Sequence, residues 1–176
     1  MKRDRTLWQF GGFALTSLGG TLLHFLYDWT GQNAVVALFS GVNESTWEHM
    51  KLLFVPSFVF AIVQSRFFKD IPSFPTVKLV GILTGQLLIP VLFYTLNGAL
   101  GKTPDWLNIT VFFVSAAAAF AAEARLFKCN RLHARGANIA WLLLCVLALL
   151  FVVFTFFPPS LPLFFDPVTK TYGRRV

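Results

Sequence analysis

Five long apolar stretches with few charges inside them constrain this chain more than any other feature of its sequence. Each is close to the roughly 20 residues that an α-helix needs to cross a bilayer core. Only 13% of the residues are charged, whereas soluble domains carry roughly 25%. The sequence therefore predicts an all-α integral membrane protein, a single domain over residues 1–176, with five transmembrane helices at about 7–27, 45–67, 77–96, 106–127 and 137–157.

Two segments outside these helices have a composition of their own. A short apolar piece at 34–42 is too short to cross a membrane as a helix, so we expect a re-entrant or interfacial segment between helices 1 and 2. The tail, 158–176, alternates prolines with apolar residues and cannot be helical throughout. We expect it to fold back over the outer face of the bundle.

The distribution of basic residues predicts the orientation. The net charge is +7, but the basic residues cluster in short segments between apolar stretches, which favours contact with the lipid bilayer and argues against a nucleic acid partner. The basic tail residues are the exception, because they would lie on the opposite side of the membrane from the other clusters. They are Lys170, Arg174 and Arg175. The positive-inside rule places the N-terminus in the cytoplasm and the C-terminus outside a plasma or inner membrane. The cytoplasmic group is Lys2, Arg3, Arg5, Arg66, Lys69, Lys78, Lys128, Arg131 and Arg135.

The most polar part of the chain is residues 42–51, V-N-E-S-T-W-E-H-M-K, at the start of the second helix. Ionisable residues at a membrane segment are costly, so they are functional candidates. At the matching end of the first helix, His24, Tyr27 and Asp28 share one helix face. Carboxylates and imidazoles together suit a divalent metal. The predicted metal ligands are His24, Asp28, Glu44 and Glu48.

The same residues predict an outward-facing pocket between helices 1, 2 and 3. It would bind a divalent metal or a polar headgroup, with hydrolase or transferase chemistry as one outcome. The candidate catalytic residues, acting as ligand, general base or general acid, are Glu44, Glu48, His49 and His24, and the candidate substrate contacts are Tyr27, Asn43, Tyr94 and Asn97.

Two other interpretations remain open. Ser45 and Glu48 have the spacing of a capping box, and Glu48 can pair with Lys51, so the polar cluster can be a structural knot in a non-enzymatic binding or accessory protein. A small transporter is the third alternative, although Gln86 is the main polar residue in the middle of a predicted helix. Sequence motifs of zincins, P-loops and dinucleotide-binding folds are absent.

Three blocks of sequence carry a resemblance to a known family. They are H-F-L-Y-D-W from His24, N-E-S-T-W-E-H from Asn43, and D-P-V-T-K-T-Y-G from Asp166. With these blocks the chain resembles a bacterial family of small polytopic membrane proteins of unknown function. The resemblance implies a membrane location and a helical fold over nearly the whole chain, and it implies no reaction.

Overall fold

The chain folds as a bundle of α-helices in a computed structural model, which describes residues 5–101, 103–129 and 136–174. The prediction of an all-α protein is confirmed, since the described residues contain five long helices and no strand beyond one isolated β-bridge. The helices are α1 (Arg5–Trp29), α2 (Thr46–Ser65), α3 (Phe74–Leu100), α4 (Asp105–Cys129) and α5 (Ala137–Phe156).

Four of the five helices, α2 to α5, are long and apolar enough to cross a membrane. The first helix is equally long, but its buried face carries polar side chains, including Gln9, Thr16 and Ser17. Its other face exposes Leu7, Phe10, Leu18 and Leu22. The connection to α2 contains a three-residue 3-10 turn, Val36–Leu38, as its regular structure.

The second helix lies at the centre of the bundle. In the most apolar stretch of α2, 67% of the residues are buried inside the bundle. The corresponding share is 22–39% for α3, α4 and α5. It packs against α1, α3 and α5, while α4 packs mainly against α1 and α3. A helix with neighbours on several sides needs apolar residues around most of its circumference, and α2 has them.

A missing hydrogen bond in α2 coincides with a close approach of α1. Pro56 has no N–H, so the carbonyl of Leu52 receives no helical hydrogen bond from that position. Gly20 of α1 packs against this carbonyl. A Cβ atom at Gly20 would lie 2.8 Å from the Leu52 oxygen and 2.5 Å from Cζ of Phe112. The glycine therefore brings the two backbones together, as small residues do between membrane helices.

A buried ion pair joins the start of α2 to two other elements. Lys51 Nζ lies 2.6 Å from Glu48 Oε2, and the two side chains are 0% and 2% exposed. Nζ also donates to the Ala37 carbonyl at 3.0 Å and to the Thr155 hydroxyl of α5 at 2.7 Å. The Glu48 carboxylate accepts from the Val42 N–H at 3.1 Å. An ammonium has three N–H groups, so Lys51 is fully paired.

A second buried pair lies in the other half of the bundle. Lys78 of α3 and Glu123 of α4 are 2.7 Å apart and 0% and 1% exposed. The ammonium also lies 5.3 Å and 5.0 Å from the ring centres of Phe60 and Phe120. Lys78 is one of the basic residues that the orientation prediction uses, but its charge is paired inside the bundle. The orientation prediction therefore depends on the other basic residues.

The last part of the chain forms a short hairpin. Phe165 and Tyr172 make an antiparallel bridge. Asp166, which is 0% exposed, accepts hydrogen bonds from the Val168 N–H at 2.8 Å and the Thr169 hydroxyl at 2.6 Å. The buried carboxylate is thus satisfied within the hairpin itself.

The hairpin is anchored to the ends of α1 and α2. Arg174 donates from Nε to the Tyr27 hydroxyl at 3.0 Å and from Nη2 to the Gln32 carbonyl at 3.1 Å. The Asn43 side-chain amide donates to the Gly173 carbonyl at 3.0 Å. The tail therefore contacts both segments that carry the candidate site residues.

We expect Gly20→Ala to destabilise the bundle by about 1–3 kcal/mol, because the new methyl group meets a backbone oxygen that cannot move aside. Gly11→Ala is the matched control on the same helix, since nothing lies within 4 Å of a Cβ there. Thermal unfolding in detergent micelles measures both. Equal losses of stability in the two variants would contradict the close approach.

The Glu48–Lys51 pair predicts strong coupling between its two members. Lys51→Met or Glu48→Leu alone should cost about 3–5 kcal/mol, because each leaves a buried charge unpaired. The double variant should be more stable than either single one, and Lys69→Met, which removes an exposed lysine, should have little effect. A thermal-unfolding double-mutant cycle tests this. If the two losses simply add, the pair is not coupled.

Candidate functional site

Three side chains with metal-ligating atoms meet where α1 ends and α2 begins. His24 comes from the last turns of α1, Glu44 from the connection, and His49 from the first turn of α2. Nε2 of His24 lies 3.8 Å from one Glu44 oxygen, and Nε2 of His49 lies 3.5 Å from the other. One ligand atom from each residue lies within 4.8 Å of the other two. We call these three residues the His24–Glu44–His49 cluster.

Local structure sets the orientation of His49. Its Nδ1 atom lies 3.0 Å from the Ser45 carbonyl, one turn earlier. A carbonyl can only accept, so Nδ1 is the donor here, and in the neutral ring Nε2 then has the free lone pair. That lone pair belongs to the atom nearest Glu44. Metal-binding histidines are commonly oriented by such a bond to a backbone carbonyl.

The spacing within the cluster suits an ion better than direct hydrogen bonds. Within the described chain no hydrogen bond joins the three side chains, and the imidazole ring centres are 5.6 Å apart. Ligand atoms around a tetrahedral zinc ion, with bonds of about 2.0–2.1 Å, are about 3.3 Å apart. The two imidazole nitrogens, at 3.8 Å and 3.5 Å from the Glu44 oxygens, are each within about 0.5 Å of that spacing.

The cluster is open on one side. The side chains of His24, Glu44 and His49 are 33%, 44% and 28% exposed. Three protein ligands around an accessible position are typical of catalytic zinc sites, whereas structural sites are closed by a fourth residue. The arrangement can therefore hold an ion together with a water molecule or a small ligand.

Residues beside Glu44 hold its backbone in place. Ser45 is the N-cap of α2, and its hydroxyl accepts from the Glu48 N–H at 3.3 Å, which confirms the predicted cap. The Asn43 carbonyl oxygen accepts from the Ser45 N–H at 2.9 Å, while its amide nitrogen binds Gly173 of the tail. Asn43 thus fixes the turn that presents Glu44, with both ends of its amide occupied.

Glu48, a predicted ligand and catalytic residue, lies in a different environment. Its carboxylate is buried and paired with Lys51. Thr155 also lies 3.1 Å from its second oxygen. The structure therefore groups Glu44 with the two histidines and places Glu48 in the ion pair beneath them.

The two other predicted site residues on α1, Tyr27 and Asp28, differ in burial. Tyr27 is 3% exposed, and its hydroxyl accepts from Arg174. Asp28 lies one turn after His24, is exposed, and does not belong to the group of three ligand residues.

Tyr94 and Asn97 of α3 are not brought to the cluster. The Asn97 amide donates to the Phe93 carbonyl at 2.8 Å, and its oxygen accepts from the Thr103 N–H at 3.1 Å. It therefore stabilises the connection between α3 and α4. Tyr94 is 42% exposed, and its ring packs on Phe93. The helix that carries His24, α1, packs chiefly on α2 and α4.

Sequence reasoning missed two residues that support the site. Thr155 is 107 residues from Glu48, and Arg174 is 147 residues from Tyr27. The one available signal for Thr155 was a hydroxyl near the end of the most apolar helix. In the sequence Arg174 stands out only as an exception to the charge pattern. No residue near it in the sequence indicates Tyr27 as its partner.

Comparison with known proteins gives a family but no activity. No curated protein and no solved structure matches this chain. The model of a family of unknown function, DUF6512, matches residues 2–174, and the chain therefore belongs to that family.

Proposed function

We propose that this protein is a five-span membrane protein that binds a divalent transition metal at the His24–Glu44–His49 cluster. The observation that carries the proposal is the convergence of three ligand atoms from three separate segments, within 4.8 Å of one another. The fixed orientation of His49 adds to it, because the nitrogen that faces Glu44 is the one able to bind an ion.

The membrane arrangement that we propose includes α1 as a fifth span. Its inward face holds the polar residues, and its outward face is apolar enough to contact lipid. The exposed apolar side chains of this face are Leu7, Phe10, Leu15, Leu18, Leu22 and Phe25. In the proposed orientation the basic residues Arg5, Arg66, Lys69, Arg125 and Lys128 lie on the cytoplasmic side of a plasma or inner membrane.

Zinc suits this donor set best. Two imidazole nitrogens and a carboxylate are a known combination for catalytic zinc, whereas calcium and magnesium prefer oxygen ligands. Each Glu44 oxygen lies nearest a different histidine. The carboxylate therefore lies between the two rings and can bind the same ion as both of them.

The open position supports hydrolytic or transfer chemistry at the membrane surface. A zinc ion held by these residues would lower the pKa of a bound water to about 7, which would supply a nucleophile at neutral pH, and it would polarise a phosphate or carbonyl oxygen of a headgroup. In this proposal His24, Glu44 and His49 hold the ion, Asn43 and Ser45 position Glu44 and His49, and Glu48 keeps a structural part in its pair with Lys51.

A second candidate function is a non-enzymatic accessory role. It is favoured by the tail, because Asn43 and Tyr27 both bind tail residues instead of facing the cluster. In that case the polar residues mainly hold the tail against the bundle. Metal analysis separates the two functions, since only the first requires stoichiometric metal.

Purified protein, prepared with a tag free of histidine, should bind one zinc ion per chain. His24→Ala and Glu44→Ala should each lower zinc affinity by more than about 100-fold, since loss of outer-shell partners alone costs about 10- to 100-fold. His133→Ala, which removes the third histidine of the chain, is the control. Measurements are elemental analysis and competition against a zinc chelator.

The same preparations distinguish a metal site from a structural knot. Zinc at about 100 times its Kd should stabilise the wild type by about 2.7 kcal/mol and the two variants much less. If no preparation binds zinc, or if His133→Ala loses as much zinc as His24→Ala, the site does not exist. If His24→Ala and Glu44→Ala only lower thermal stability, the accessory role is favoured.

Zinc affinity should rise with pH. A metal ion binds an imidazole only in its neutral form, so protons compete with zinc as the pH falls through the range in which histidines titrate. Lowering the pH from about 7.5 to about 5.5 should therefore weaken zinc binding by roughly tenfold or more. A zinc-buffered titration at the two pH values measures the change. An affinity that stays the same would show that the histidines are not ligands.

A further inference from the structure

Two cavities meet at the end of the bundle opposite the His24–Glu44–His49 cluster. One of about 370 Å³ is lined by Arg5, Lys128, residues 126–127 and the turn at 70–73. The other, of about 300 Å³, runs along the outside of α1 and α4. Arg5 and Lys128 line both. Arg5 and His24 are about 29 Å apart along α1, at about 1.5 Å per residue, so these cavities are separate from the cluster.

The second cavity is an apolar groove on the lipid-facing side of the bundle. Its walls include Phe10 and Phe13 of α1 and Ala117, Ala121 and Ala124 of α4. The alanines leave the space, because larger side chains at these positions would fill it. From Phe127 to Ala117 the groove follows α4 for about 15 Å, which suits much of one acyl chain.

A buried amide without a hydrogen-bond partner lies in the wall of the groove. Gln9 lines it and is only 6% exposed, and neither its amide nitrogen nor its oxygen has a hydrogen-bond partner within the described chain. Buried polar groups are rarely left unpaired, so such a side chain calls for a ligand group or water. Gln9 lies one turn beyond Arg5, about 6 Å further along the helix. That is a suitable depth for an ester carbonyl when a phosphate sits at Arg5.

The charges at the mouth favour an anion. Arg5 donates to the Phe127 carbonyl at 2.9 Å, which orients a guanidinium that carries five N–H groups. Lys128 adds a second positive charge, while Asp70 lines the polar cavity with a negative one. Among the described residues that line the polar cavity, two are positively charged and one is negatively charged, a balance that favours an anion.

From these observations we propose that the groove binds an anionic phospholipid, such as phosphatidylglycerol. The phosphate lies between Arg5 and Lys128, an ester carbonyl accepts from the Gln9 amide, and one acyl chain follows the alanines of α4. A polar cavity and an apolar groove that share two basic residues match the shape and charge of such a lipid. Basic pockets between membrane helices on the cytoplasmic side are suited to anionic headgroups.

The contribution of the two basic residues to lipid binding can be tested by native mass spectrometry of the full chain, released from micelles that contain defined lipids. The wild type should retain phosphatidylglycerol at least about tenfold better than phosphatidylcholine, and Arg5→Gln with Lys128→Gln should lower retention by roughly 30-fold, from roughly fivefold per basic residue. The matched control is Arg66→Gln with Lys69→Gln, which removes the same charge from exposed positions outside both cavities. An equal loss in the control would overturn the site in favour of general attraction.

Substitutions that fill the groove test the binding of the acyl chain without any change of charge. Ala121→Phe should reduce phosphatidylglycerol retention by about tenfold or more, and Gln9→Leu should weaken it as well, while Leu142→Phe on the exposed face of α5 should not. Circular dichroism confirms that each variant is folded. Unchanged retention in Ala121→Phe overturns the proposal. Loss of a dimer in that variant, measured by light scattering, would instead assign the groove to a second copy of the chain.

Discussion

The buried pair of Lys51 and Glu48 is the interaction on which the candidate site depends. A charge inside a bundle is stable only when it is fully paired, and here the ammonium reaches a carboxylate, a carbonyl and a hydroxyl. These three groups come from α2, from the connection before it and from α5. The pair therefore fixes the position of α2, its preceding connection and the end of α5 relative to one another.

The His24–Glu44–His49 cluster is built on that frame. Glu48 accepts from Val42, and the residues between Val42 and the helix start form the turn that carries Glu44. The cap at Ser45 begins α2, and its carbonyl orients His49 one turn later. On the other side, the contact of Gly20 with α2 keeps α1 close enough for His24 to reach the same place. A structural ion pair and a candidate metal site thus occupy adjacent layers of one bundle end.

The two ends of the bundle differ in chemistry. The end with the cluster holds the Glu44 carboxylate and two imidazoles at a partly exposed surface. The other end holds Arg5 and Lys128 at the junction of a polar cavity and an apolar groove. Such a division is compatible with a multi-pass membrane protein whose two ends meet different surroundings.

Much of the fold followed from the sequence alone, because helix length and apolar composition depend on local residues. The helical class, the long apolar helices and the Ser45 cap were all predictable in this way. The ligand types were also evident, since His24, Glu44 and His49 are polar residues at the edge of apolar stretches. Only the tertiary structure decided which carboxylate joins the histidines. Glu44 and Glu48 have the same chemistry and lie one turn apart, but Lys51, Ala37 and Thr155 enclose Glu48, and these contacts depend on how distant segments pack.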